Sequence, residues 1–159
     1  RLEKLGRLTW QGQLISVSLT RYLFGLLAGL VASCSVYGCW EEVGQKYGVN
    51  PYLLGAIAKQ ESNFDANAVR KNTNGSRDIG VMQVNSIWLP TLAKYGITEQ
   101  QLFEPCINIA VGAWILRQRQ IQYGNTWEAV GSYHSKTPSR KWKYAGSVSD
   151  KLKSLLPPP

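Results

Sequence analysis

Residues 61–86, ESNFDANAVRKNTNGSRDIGVMQVNS, read as the junction between a helix and a small hairpin. Upstream, Leu53, Ile57 and Glu61 recur every four residues with Leu54 and Ala58 beside them, so a helix runs into the segment and Glu61 lies on its apolar stripe. Asn50 caps that helix, Pro51 takes its first position, and Val49 is placed to staple against Leu54. Downstream, the polar run Asn72–Asp78 contains Asn74-Gly75, a two-residue hairpin signal because both positions tolerate positive φ. Alternation along a strand from Asp78 to Val84 puts Asp78 and Met82 on one face and Gln83 on the other. A bulge at Gly80 would change that count.

Outward from this junction the chain is helical. A first helix spans about Cys39 to Tyr47 and stops at Gly48. Beyond the hairpin the pattern predicts helices over Pro90–Tyr95, over Glu99–Phe103 behind a Thr98–Gln101 capping box, and over about Cys106–Tyr123, the last apolar enough to be central. Two more follow, Trp127–His134 behind Asn125-Thr126 and Pro138–Leu156 behind Thr137. The fold class is therefore mainly α with a small β-hairpin (α+β), in one domain over 39–156, with Pro157-Pro158-Pro159 as a tail. The chain has 159 residues, of which 44% are hydrophobic, and a core of that size suffices for a globular protein. Its six Trp and eight Tyr supply core and also flat faces that stack on sugar rings; spacing does not separate the two roles.

Residues 1–38 read as a secretory signal. Arg1, Lys4, Arg7 and Arg21 precede an apolar run from Tyr22 to Ala32, which is shorter than the roughly 20 residues of a membrane span. The alternative is a retained anchoring helix. Export permits disulfides. Cys39 and Cys106 each begin a predicted helix, so a bridge between them clamps two helices, the alternative being two free buried thiols. Cys34 follows Val31-Ala32-Ser33, a sequence that suits a lipid-anchor cleavage site, but the simpler reading is that it leaves with the signal. The whole chain carries 18 Lys+Arg against 10 Asp+Glu. Without 1–38 the balance is 14 against 9, a net +5. A basic exported domain is drawn to polyanions such as the peptide carboxylates of a cell wall, rather than to nucleic acid. Lys136, Arg140, Lys141, Lys143, Lys151 and Lys153 concentrate that charge near the C-terminus, where a solvated helix face is the alternative.

Two acids stand out. Glu61 lies at the buried end of an apolar face, where desolvation favours the neutral carboxyl and suits a group that holds a proton near neutrality and then releases it. Asp78 follows 17 residues later on the hairpin. Paired carboxyl groups in unlike settings are the means by which glycosidic bonds are cut. The alternatives are a core-edge Glu and an Asp that caps hairpin backbone. One His and no ligand cluster argue for no metal and no cofactor.

Glu61-Ser62, then Gly80-Val81-Met82-Gln83-Val84-Asn85-Ser86, then Ala129-Val130-Gly131-Ser132-Tyr133 resemble the three motifs of the bacterial soluble lytic transglycosylases, over about Cys39–Val148. Cys39-Trp40, Pro105-Cys106-Ile107-Asn108-Ile109 and Tyr133-His134-Ser135 are most similar to the small transglycosylases of type III and type IV secretion and conjugation machines. Residues 61–86 also resemble animal C-type lysozymes, including the Glu-to-Asp separation, although most transglycosylases of this superfamily lack that Asp. The resemblance implies a lysozyme-like fold, Glu61 as acid and then base, and Asp78 assisting. It also implies substrate contacts from Ser62, Met82, Gln83, Asn85 and Tyr133. Where the family has Asn-Ala-Gly after the Tyr, this chain has His134-Ser135-Lys136, and His134 takes the place of the Asn as a binding, not a catalytic, residue, the alternative being a packed or surface side chain.

The function these readings imply is cleavage of peptidoglycan glycan strands at the MurNAc-GlcNAc β-1,4 bond. The product is a 1,6-anhydromuramic end, formed in the periplasm of a Gram-negative bacterium for a secretion or conjugation apparatus. The rivals are a hydrolytic muramidase and a peptidoglycan-binding assembly factor.

Overall fold

The computed structural model describes residues 36–157. Residues 1–35 of the expected signal, with its apolar run and Cys34, lie outside them, whereas its last three, 36–38, belong to the first helix. The order is α1 (Val36–Tyr47), α2 (Pro51–Glu61), β1 (Val69–Lys71), β2 (Arg77–Ile79), β3 (Val84–Asn85), a 3-10 turn (Ser86–Trp88), α3 (Leu89–Ala93), a second 3-10 turn (Gln100–Phe103), α4 (Pro105–Tyr123), α5 (Trp127–His134) and α6 (Pro138–Leu155). Among the described residues no helix is long and apolar enough to cross a membrane.

Local chemistry accounts for the corner between α1 and α2. Gly48 takes φ +65, and the Val49 N–H bonds back to the Gly44 carbonyl, a C-terminal cap that only glycine adopts cheaply. The Asn50 side chain accepts from the N–H of Tyr52 and Leu53, with Pro51 behind it as expected. A side chain at Gly44 would strike the Val49 carbonyl at 2.7 Å and the Pro51 ring, so the turn is as tight as glycine permits. α1 begins at Val36, three residues ahead of the expected start. Cys39 in α1 is bonded to Cys106 in α4.

α4 is buried on nearly every side, with Asn108, Ile109, Val111 through Leu116 and Gln120 all inside, and is the central helix the sequence suggests. α1 and α5 pack on it; α6 covers α2 and α5. The α5–α6 crossing is close because Gly131 faces the Lys141 backbone carbonyl, which an added Cβ would meet at 2.5 Å.

The hairpin is the part that departs from expectation. A two-residue turn at Asn74-Gly75 would pair Lys71 with Asp78, whereas the structure pairs Arg70 with Asp78 and Lys71 with Arg77 across a five-residue loop. Gly75 alone has positive φ there. The Asn72 side chain bonds Ser76, and the Asn74 side chain takes the Ser76 N–H, so local side chain to backbone bonding wins over the tight turn. Nor does one strand run from Asp78 to Val84. Gly80 at φ +76 and Gln83 at φ +50 fold 80–83 into a turn, and Val84–Asn85 returns as a third antiparallel strand, giving the order β1-β2-β3. The alternation expected for Asp78, Met82 and Gln83 therefore does not apply. The Thr98–Gln101 capping box forms, but around a 3-10 turn rather than an α-helix.

The disulfide closes 67 residues of chain. Removing it with Cys39→Ala and Cys106→Ala is expected to cost about 4 kcal/mol of unfolding free energy by relaxing the unfolded chain. The check is the denaturant midpoint of the variant against the oxidised protein.

Candidate active site

Glu61 is the last residue of α2, and its side chain is 5% exposed. The Tyr144 hydroxyl donates to Oε1 at 2.6 Å, and the Arg70 guanidinium lies 3.5 Å from Oε2. Burial pushes the carboxyl above its ordinary value, and the nearby Asp78 adds to this. The Tyr144 hydrogen bond and Arg70 pull the other way without cancelling the shift. The expected placement of Glu61 on the apolar stripe is what removes it from water. The Tyr144 phenol, buried beside it, is held well above the usual tyrosine range, first by burial and then by Glu61. It stays a donor.

Asp78 occupies the middle strand, and its two cross-strand neighbours are Arg70 and Asn85. Directly opposed residues share a face, so both reach the carboxylate. Arg70 Nε donates to Oδ2 at 3.2 Å, Asn72 Nδ2 to the same oxygen at 3.1 Å, and Asn85 Nδ2 to Oδ1 at 2.6 Å. Side chains, not hairpin backbone, hold this Asp. Arg70 thus spans both carboxyl groups.

The 80–83 turn forms the floor between them. Tyr133 donates its hydroxyl to the Met82 carbonyl at 2.8 Å, Ser62 its hydroxyl to the Val81 carbonyl at 2.8 Å, and Gln83 its side-chain amide to the carbonyls of Gly80 and Ala68. Tyr133 titrates well above the usual range, chiefly through burial. Beneath the turn, Asn108 of α4 accepts from the Met82 N–H and donates to the carbonyls of Ile79 and Leu102.

A cleft of about 610 Å³ opens over this floor, lined by Glu61, Asp78, Gln83, Asn85, Tyr133 and His134 among others. Six of the eight residues expected at the site therefore meet in one place. Met82 does not. It is fully buried, its side chain against Gly112 where an added Cβ would meet it at 2.8 Å, so it supports the floor instead of touching a ligand. Ser62 likewise lines no part of the cleft and is spent on the Val81 carbonyl. His134 stacks flat on the Tyr144 ring at 4.7 Å. Burial and the adjacent Arg70 hold its pKa below the ordinary value. Ser132 Oγ and Arg119 Nε, both in residues lining the cleft, are buried without a hydrogen-bond partner, which leaves polar capacity in its wall.

Sequence patterns assign no site role to Arg70, Asn72, Asn108 or Tyr144. Lys141, Tyr144, Ala145 and Val148 are the buried residues of α6 and recur at helical spacing, a signal that places Tyr144 inside. No spacing says that it meets a Glu 83 residues away.

The raised pKa of Glu61 fixes a sign. A carboxyl whose folded pKa exceeds its unfolded value gives stability that is full below the ordinary carboxyl range and is lost as pH rises through the folded pKa. Stability of the natural protein relative to Glu61→Gln is therefore expected to fall across that window, read as the difference in melting temperature from acid to neutral pH. Tyr144→Phe removes a hydrogen bond to the charged form, so the Glu61 carboxyl is expected to titrate higher still, followed by carbon NMR of the labelled side chain.

The Transglycosylase SLT domain family matches residues 38–156. The chain is 36% identical over 126 residues to protein IpgF of Shigella flexneri, covering 79% of this chain and 82% of IpgF. It is 37% identical over 140 residues to the invasion protein IagB of Salmonella typhimurium, covering 84% and 88%. An inactive mutant of the lytic transglycosylase Slt from Pseudomonas aeruginosa superposes with a TM-score of 0.55 at 23% identity, over 75% of this chain and 22% of that one, a likeness of fold. The resemblance read from the Glu61-Ser62, Gly80–Ser86 and Ala129–Tyr133 motifs holds. With nearly the whole described region matched, the chain belongs to the transglycosylase SLT domain family.

Proposed function

We propose that this lytic transglycosylase cuts the MurNAc-GlcNAc β-1,4 bond of peptidoglycan with Glu61 as acid and then as base. The observation that carries the reading is a single carboxyl, nearly out of water and raised in pKa, facing a polar cleft. Oε1 is engaged by Tyr144, so the transferable proton belongs on Oε2, which has only the long contact to Arg70. That proton passes to the glycosidic oxygen as its bond to the muramyl C1 breaks. The positive charge on C1 is met by the substrate's own acetamido oxygen. Glu61, now ionised, takes the proton of the muramyl 6-hydroxyl, whose oxygen closes on C1 and displaces the acetamido oxygen. The product is the 1,6-anhydro sugar, and no water is consumed.

Asp78 assists by its charge. Arg70 and Asn72 occupy one of its oxygens and Asn85 the other, which suits a fixed carboxylate better than the nucleophile of a retaining hydrolase. Gln83, Asn85, Tyr133 and His134 bind the strand along the cleft. The work is done in the periplasm, reached through a leader in residues 1–38, and opens the wall locally for a secretion or conjugation apparatus. The Cys39–Cys106 bridge suits an oxidising compartment, and similarity to an invasion protein supports the association.

Mass spectrometry of digested sacculi tests the chemistry. Anhydromuropeptides are expected, and reducing ends would instead identify a muramidase. Glu61→Gln is expected to lower turnover by about 10²- to 10⁴-fold, the usual share of general acid-base catalysis, with a smaller loss for Asp78→Asn. Undiminished turnover by Glu61→Gln would overturn the assignment of the acid.

A further inference from the structure

Glu61 stands between two cavities. Beside the cleft lies a second pocket of about 380 Å³, lined by Glu61 with Arg70, His134, Arg140, Lys143 and Ser147, among others. Arg140 and Lys143 are one helical turn apart on α6 and so share a face. Two neighbouring cations sit beside acids: Arg70, which lines the same pocket, by Glu61 and Asp78, and Lys141, between the two on α6, by Glu128. Arg140 and Lys143 have no such carboxylate within 4 Å among the described residues. Among the described residues Glu61 is the only acid lining the pocket, and its burial, which raises its pKa, works against its carrying a charge there. Burial first, and then the field of Arg70 and Arg140, opposes protonation of His134, so the positive character of the pocket comes from Arg70, Arg140 and Lys143.

We propose that this pocket binds carboxylates of the peptide stem that hangs from the glycan strand, so that stem-bearing strands are preferred over bare ones. The inference rests on the strand lying in the adjoining cleft. The muramyl sugar whose bond is cut carries its stem on the lactyl ether at O3, two ring bonds from the C1 at which the acid works. Arg140 lines both cavities and so stands where strand and stem diverge. A guanidinium takes a carboxylate through two parallel N–H bonds, and an ammonium adds a point charge that tolerates several stem positions.

The test compares kcat/KM for strands carrying stems with that for the same strands stripped by an amidase, using the full-length protein, Arg140→Gln, Lys143→Gln and the double variant. Two charge-assisted contacts support a preference of roughly tenfold or more for stem-bearing strands. The double variant is expected to bring that ratio near one, mostly through KM. Lys46→Gln with Lys94→Gln, which removes equal charge from residues lining neither cavity, is expected to keep the preference. Equal cleavage of both substrates by the natural protein would overturn the stem pocket, as would a preference that survives the double variant or is lost equally in the charge control. Those outcomes leave strand cleavage standing. Failure to cut either substrate would overturn strand cleavage itself, and the pocket's role with it.

Discussion

One buried side chain organises the site. Asn108, 1% exposed on the central helix, spends its amide on three backbone groups: the Ile79 carbonyl at the end of β2, the Met82 N–H in the turn, and the Leu102 carbonyl in the 3-10 segment. None of these groups meets water, so each would cost about 1–3 kcal/mol if orphaned. Gly80 exists to let this contact form, because any side chain there would collide with Asn108 and with the Leu102 carbonyl. The turn so pinned exposes the carbonyls of Val81 and Met82 in fixed directions. Ser62, next to the acid, bonds the first, and Tyr133 bonds the second. Three separate pieces of chain are registered to one another through a turn that its own sequence would not hold.

On that frame the electrostatics are arranged by sharing. Arg70 sits between Glu61 and Asp78, yet reaches them unequally: a direct hydrogen bond to the Asp and a long contact to the Glu. One cation therefore secures the acid on the sheet by a direct bond while the pKa of the helix carboxyl stays raised. Burial decides the difference. Tyr144 completes the setting by donating to one oxygen of Glu61 and presenting its ring to His134, so the residue that departs from the family's usual Asn is tied to the acid through a stacked ring. The same acid is reached from a polar cleft and from a basic pocket beside it.

Helices were legible because their signals are local. Asn50-Pro51, Gly48, Thr126 and the buried run of α4 all sit where capping and periodicity place them, and boundaries moved by only a few residues. The sheet was less so. Asn74-Gly75 carries a strong two-residue turn signal, but Asn72, Asn74 and Ser76 bond among themselves and lengthen the loop, and the pairing shifts by one residue. That slip exchanges Lys71 for Arg70 opposite Asp78. The positive φ of Gln83, rare outside glycine, likewise broke an alternation that the residues alone suggest.

By itself the order of residues determined a mainly helical domain, an acid on an apolar helix face, a second acid after it, and the motifs that place the chain among transglycosylases. Helix periodicity and motif spacing act over a few residues or a fixed stretch of chain. Only the tertiary structure decided that Met82 turns inward, that Arg70 bridges both acids, that Tyr144 donates to Glu61, and that Arg140 and Lys143 face a pocket beside it. Each of these depends on which distant segments share a cavity, and that follows from the packing of α4 and α6, which no local pattern encodes.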